Sequence, residues 1–401
     1  MKRIVLLCML GTVLIASGPA WTQATAELTY TEINSQRHPL LVQSGRYAYA
    51  QKGNLPAMEH LPEGLSDNVY YLQLPVGRAW LAAIFDAGGT TPRLYIDTDA
   101  DSSLSDETPI EMKIAQNQVA YTALWVQVPG RAEGTTTRIG LYGYTDGSRY
   151  VYLQIVPAGY VRGTVELDGV AYRVAIVDAN LSGEYAGFAT AETLSDPRSY
   201  DQIAFGTPNA SRAEGKDQGT EIAPLTRVVH LGDAYYAVQV TPGGERIELT
   251  KTEPAFGTLD VQDAGMRLTL RSETGTHKLD SAGPWRLPAG AYTLAGLSLQ
   301  RKDAEGQWWM LQGMFWEGGS LARFEMRAGE TTTIPAGQPL ALDTSILWRD
   351  DAVDINLAVV GRAGEHYMAG VSGPGGQKDP PTVSIVDRSG KELASGKLAY
   401  G

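Results

Sequence analysis

Cysteine is almost missing: of 401 residues only Cys8 carries a thiol. It sits inside an apolar stretch, residues 4–15, and follows Leu7, where a lipid-anchored cysteine needs a small neighbour. Without another thiol the rest of the chain forms no disulfide and no thiolate zinc site. It must be held together by its core or by bound ions. Long apolar runs are missing as well, and none after residue 15 reaches the 20 or so residues that cross a bilayer. The five histidines (His38, His60, His230, His277 and His366) are scattered, with no H-E-x-x-H pair. Glu365 and His366 are adjacent, so on a strand they face opposite ways. No G-x-S-x-G, P-loop or G-x-G-x-x-G occurs. Basic charge is short too: 33 lysines and arginines against 45 acids leave a net −12, which disfavours nucleic acid and anionic membrane as partners.

What is present begins with an export signal. Lys2 and Arg3 precede the apolar stretch, small residues follow, and Ala24-Thr25-Ala26 fits a small-x-small cleavage site, with Ala20 as a second choice. Residues 1–26 are therefore expected to be a signal peptide, and the protein to be periplasmic or extracellular with no transmembrane segment. The remaining 375 or so residues suggest several domains.

Glycine (45) and tyrosine (20) are abundant and helical periodicity is not sustained, which predicts an all-β fold. Asp168-Gly169 between the alternating runs 165–167 and 170–177 is a hairpin signal. Residues 227–250 read as a three-stranded meander that completes the sheet begun by that hairpin. Only 110–120 reads as helical. Many short strands between Gly, Pro and Asp turns indicate tandem antiparallel β-sandwiches. The expected units are 27–160, 161–255 with a long polar loop at 195–222, and 256–345. Residues 346–401 supply C-terminal strands, separate or completing the unit before them, with a linker at 371–381.

Leu287-Pro-Ala-Gly-Ala-Tyr-Thr-Leu294 resembles the P-x-G-x-Y-x-L strand entry of immunoglobulin-like and prealbumin-like modules in secreted bacterial proteins. The resemblance covers about 90 residues and implies a packing module rather than an activity.

The chemistry concentrates in an acidic loop after the run Leu94-Tyr95-Ile96. Asp97, Asp99 and Asp101 hold alternate positions, and Asp106 and Glu107 are available to close the set. Calcium takes six to eight oxygen ligands, and three close carboxylates repel one another unless a cation neutralises them. The spacing resembles EF-hand and dockerin calcium loops, D-x-D-x-D-G. Ser102 replaces the glycine, Thr108 the closing acid, and a strand replaces the entering helix. The resemblance implies a static calcium clamp; the plainer reading is a solvated acidic turn. Asp178, Asn180, Ser182 and Glu184, with Gly183 at the turn, form a weaker second set after 174–177. Asp387 to Gly390 reads as a plain hairpin turn. Together these loops and the closing G-K-L-A-Y-G resemble secreted bacterial multi-domain β-sandwich proteins to which no activity is attached.

Aromatic rings stack on sugars, so the adjacent Trp308 and Trp309, near Phe315 and Trp316, are a carbohydrate candidate; strand alternation exposes one of the pair unless a bulge or a second layer covers both. Asp350, Asp351 and Asp354 beside Trp348 are the best carboxylate cluster for glycoside hydrolysis, though a charged turn explains them more simply. The sequence therefore points to a non-enzymatic structural or interaction protein of the cell envelope or extracellular space, stabilised by calcium. A carbohydrate-binding or accessory protein of a polysaccharide-degrading system is the alternative, and an acid-dependent hydrolase an outside one.

Overall fold

A computed structural model describes residues 23–35, 46–52, 60–88, 90–115, 118–145, 151–206, 221–280, 283–349 and 353–398. The expected signal segment up to residue 22, His38, Asp350, Asp351, the middle of the 195–222 loop and residues 399–401 lie outside them. Among the described residues strands dominate, with two 3-10 turns at Phe315–Glu317 and Gly319–Leu321 and no α-helix. Alternation builds them: in Met266–Ser272 every second residue is buried. The all-β expectation holds.

The first sandwich faces Val69–Val76, Ala79–Asp86, Arg93–Ile96 and Ile110–Glu111 against a sheet of Arg46–Tyr49, Val151–Pro157, Thr136–Thr145, Gln118–Gln127 and Ile114–Ala115. Leu72, Leu81, Phe85 and Ile96 from one sheet meet Ile139, Leu141 and Ile155 from the other. Among the described residues of 110–120 the expected helix does not form. Ile110–Glu111 and Ile114–Ala115 pair as short strands, because sheet partners stand on both sides and the segment lacks the length to bury a helical stripe.

The second sandwich packs Glu221–Pro224, Gln202–Gly206, Val170–Val177, Gly159–Leu167 and Thr29–Glu32 against Gln23–Glu27, Arg246–Thr252, Ala234–Val240 and Val228–Leu231. The hairpin forms as expected, with Asp168 (φ 49°) and Gly169 (φ 80°) giving the turn a twist that matches the strands. The meander forms too, but it does not join the hairpin's sheet. It makes the opposite layer, where Val229, Val238, Ile247 and Leu249 cover Val165, Val174 and Ile176. Residues 23–26, expected in the signal peptide, and residues 27–32, expected in the 27–160 unit, both join the second sandwich. Gln23–Glu27 pairs with Arg246–Thr252, and Thr29–Glu32 with Gly159–Leu167, so both sheets of the second sandwich close on the N-terminal strands.

The third sandwich sets Trp285–Pro288, Phe256–Val261 and Thr331–Ile334 against a large sheet. That sheet runs from Gly275–Leu279 through Met266–Ser272, Gly290–Lys302, Trp308–Gly313, His366–Gly373 and Val353–Val360 to Ala341–Trp348. The strands after residue 345 thus extend this sheet up to Gly373. Thr382–Val386 and Glu392–Lys397 form a separate, mostly exposed hairpin. At the strand entry Tyr292 is fully buried, its hydroxyl donates to the Pro288 carbonyl at 2.6 Å, and its ring stacks on Phe324.

Candidate cation loop and binding faces

Strand Arg93–Ile96 buries Leu94 and Ile96, and the chain leaves the sheet at Asp97. There the backbone turns sharply, with Ala100 (φ 61°) and Ser102 (φ 69°) both left-handed. Asp97 is buried and accepts the Asp101 N–H at 3.1 Å and the Ser102 N–H at 3.2 Å. Asp99 accepts the Asp101 N–H at 3.4 Å, and Asp101 accepts the Ser103 N–H at 2.7 Å. One oxygen from each of Asp97, Asp99 and Asp101 lies within 4.8 Å of the others. Burial, and then the neighbouring Asp101 and Asp99 charges, push the Asp97 carboxyl up to about 6 against the pull of its two N–H donors.

Asp106 and Glu107 take partners of their own within the loop. Asp106 accepts the Ser103 hydroxyl at 3.0 Å, and Glu107 takes the Thr98 backbone N–H and, at 2.9 Å, the Thr98 hydroxyl. Burial also raises the Glu107 carboxyl. These two acids brace the loop while the three aspartates converge. Leu104 anchors its far arm beside Ile84 and Tyr95.

The second loop repeats the geometry position by position. Asp178 accepts the Ser182 and Gly183 N–H groups at 2.8 and 2.9 Å, and Asn180 accepts the Ser182 N–H at 3.0 Å. Leu181 (φ 54°) and Gly183 (φ 77°) stand where Ala100 and Ser102 do. Burial raises the Asp178 carboxyl as it raises Asp97, but the neighbouring charges differ. Asp178 also accepts the Thr137 hydroxyl at 2.7 Å and lies in the field of the Arg46 guanidinium, which itself donates to the Asn180 carbonyl at 2.9 Å. Glu184 turns to Arg131, 3.6 Å away, and the Ser182 hydroxyl receives the Glu184 N–H at 3.3 Å. Leu181 plugs the core of the first sandwich. The Asp178, Asn180, Ser182 and Glu184 set thus sits at a joint between two sandwiches, with Glu184 turned to Arg131. The buried Asp201 carboxyl is raised by burial and then by the charge of Asp178.

Two aromatic surfaces stand apart from these loops. On the outer face of the first sandwich, register aligns Tyr49, Tyr152 and Tyr144 in one cross-strand row and Tyr47, Gln154 and Tyr142 in the next. Ring centroids are 5.4 Å apart for Tyr144 and Tyr152, and 6.3 Å for Tyr47 and Tyr49. Tyr47, Tyr49 and Tyr144 are exposed. Nothing in the reading of the sequence singled these residues out. The available signal was tyrosine at alternate positions, 47 and 49 and again 142 and 144.

In the third sandwich the two tryptophans separate as strand alternation requires. Trp308 is 55% exposed, with the Lys302 ammonium 4.9 Å from its ring. Trp309 is part-buried, donates to Asp303 at 2.6 Å and lies under Lys378. Of the carboxylates near Trp348, Asp354 pairs with Arg349 at 2.6 Å. Glu365 is buried and accepts the Tyr367 hydroxyl, while His366 faces Glu317, as opposite sides of one strand require. Asp387 accepts the N–H groups of Ser389 and Lys391, closing a hairpin turn.

Fold and surfaces together define a tandem all-β sandwich protein with one three-aspartate loop and exposed aromatic faces. No family model matches the chain, and neither a curated protein nor a solved structure matches it.

Proposed function

We propose that this chain is an exported, non-enzymatic interaction protein of the cell envelope or extracellular space. It docks through the tyrosine face of its first sandwich and holds calcium at Asp97, Asp99 and Asp101. The tyrosine face carries the reading. Tyrosines in two cross-strand rows offer large, stiff contact area at low entropic cost, with hydroxyls at the tips for polar partners. Tyrosine and tryptophan are the residues that most often anchor interfaces.

The paired loops support the calcium. One backbone recipe occurs twice, once with Arg46 opposite its lead aspartate, and once with three carboxylates where only backbone N–H groups oppose the lead aspartate's charge. A divalent cation supplies to the first loop what Arg46 supplies to the second.

On this reading the leader is cut after Ala20 rather than after Ala26. Ala26 lies in the core of the second sandwich, and residues 23–27 pair in register with Arg246–Thr252. Cleavage after Ala26 removes most of that strand; cleavage after Ala20, within Gly18-Pro19-Ala20, leaves it whole. The test expresses the full chain with its leader, recovers the exported protein and sediments it with isolated cell envelopes. The expected protein begins at Trp21 and co-sediments, and a Tyr47→Ser/Tyr49→Ser/Tyr144→Ser variant with an unchanged melting temperature stays in the supernatant. Retention in the cytoplasm, or equal sedimentation of both proteins, refutes the reading.

A further inference from the structure

The outer face of the third sandwich's large sheet holds a solvent-open groove of about 520 Å³. Its floor follows from register. Arg267 lies opposite Ser298, and Ser298 opposite Gln312, so three polar side chains form one row across three strands. Two strand spacings give the row a length of about 10 Å. The pairing of Met266–Ser272 with Gly290–Lys302 slips beside it, from Thr269 opposite Gly296 to Leu270 opposite Leu294. The extra residue bends the strand, as bulges do. Asp280 lines one side, and Trp308 lines the groove four register pairs along the strand from Gln312, on the same face.

Two of the three side chains in the row are held. The Arg267 guanidinium donates to the carbonyls of Ala264 and Met266 at 3.0 and 2.9 Å, and the Gln312 amide donates to the Leu297 carbonyl at 3.1 Å. Each keeps further donor or acceptor capacity. A guanidinium, a hydroxyl and an amide in line, beside an exposed indole, fit a pyranose chain. Its vicinal hydroxyls both donate and accept, and its C–H face packs on an aromatic ring. Arg267 and Asp280 in the lining carry opposite charges and offset each other, and Lys302 stands over the Trp308 ring at the far end. The groove's openness suits a segment of polymer better than an enclosed metabolite.

We infer that this groove binds a neutral polysaccharide, with Trp308 as the stacking platform and Arg267, Ser298 and Gln312 as the polar floor. The inference is independent of the tyrosine face. Calorimetric titration of the full mature chain tests it with neutral hexasaccharides of glucose, xylose, mannose and N-acetylglucosamine, and with hexagalacturonate as the anionic control. At least one neutral hexasaccharide is expected to bind. Trp308→Ala should weaken it about ten-fold or more, the scale on which a buried aromatic anchor acts. Gln312→Ala should weaken it as well, while Trp348→Ala and Tyr49→Ser leave it unchanged. All four tryptophan, glutamine and tyrosine positions are surface sites, and matching melting curves establish that each variant is folded. Absence of binding to every neutral hexasaccharide, tighter binding of hexagalacturonate, or an affinity indifferent to Trp308→Ala overturns the inference.

Discussion

At the scale of single residues, burial decides how each ionisable group behaves. Asp97 is buried with two N–H donors and two carboxylate neighbours, so its ionised form lacks a full counter-charge. Calcium should therefore raise the melting temperature of the chelator-treated protein by several degrees, and Asp99→Asn should abolish the rise. A ligand that binds only the folded state contributes about 2.7 kcal/mol at a hundred times its dissociation constant. Superimposable melts with calcium and with chelator would remove calcium from the account. His277 poses the converse problem. Burial, and then the neighbouring His230, push its imidazole down to about 4. A depressed value stabilises the fold above the ordinary 6.5, and that stability is lost as pH falls through about 4. The shift corresponds to at most about 3 kcal/mol. His277→Gln should flatten the fall in stability between pH 6.5 and 4, measured by denaturant unfolding; parallel profiles for the two proteins would show that His277 carries none of it.

At the scale of elements, the loop 178–184 belongs to one sandwich by sequence and to the next by packing. Leu181 is fully buried in the first sandwich's core, and Asp178 meets Thr137 from that sandwich. Leu181→Ala should cost about 2–5 kcal/mol, as for other buried leucines. It should split the thermal transition, with the first sandwich melting ahead of the second. One unsplit transition at the original temperature would deny the loop its joint role. Local grammar made many elements legible beforehand: the Asp168-Gly169 hairpin, the meander at 227–250, and the exposure of one tryptophan from the Trp308–Trp309 pair. Pairings across long sequence distance were not. Nothing near Gln23 announces Arg246–Thr252 as its partner, and nothing near Asp178 announces Arg46. The two acidic loops look graded in the sequence, strong and weak. Their backbones are alike, and what separates them is the number of carboxylates and a guanidinium supplied from 134 residues away in the chain. The tyrosine rows were half visible as alternation, but register had to join three strands before the rows existed.

At the scale of the whole molecule, three sandwiches without disulfides hold together through cores, a plugged joint and N-terminal strands that close the second unit. Phe256 extends the chain of contacts into the third, with its ring edge-on to Tyr235 and under Arg286. Such an arrangement displays separate faces on separate units, with the tyrosine rows on the first and the tryptophan groove on the third. Footprinting by tyrosine nitration tests the docking role most directly, comparing free protein with protein bound to isolated envelopes. Tyr47, Tyr49 and Tyr144 are expected to lose reactivity on binding while Tyr185 and Tyr292 are unchanged. Full reactivity of those three rings in the bound protein would contradict the proposal.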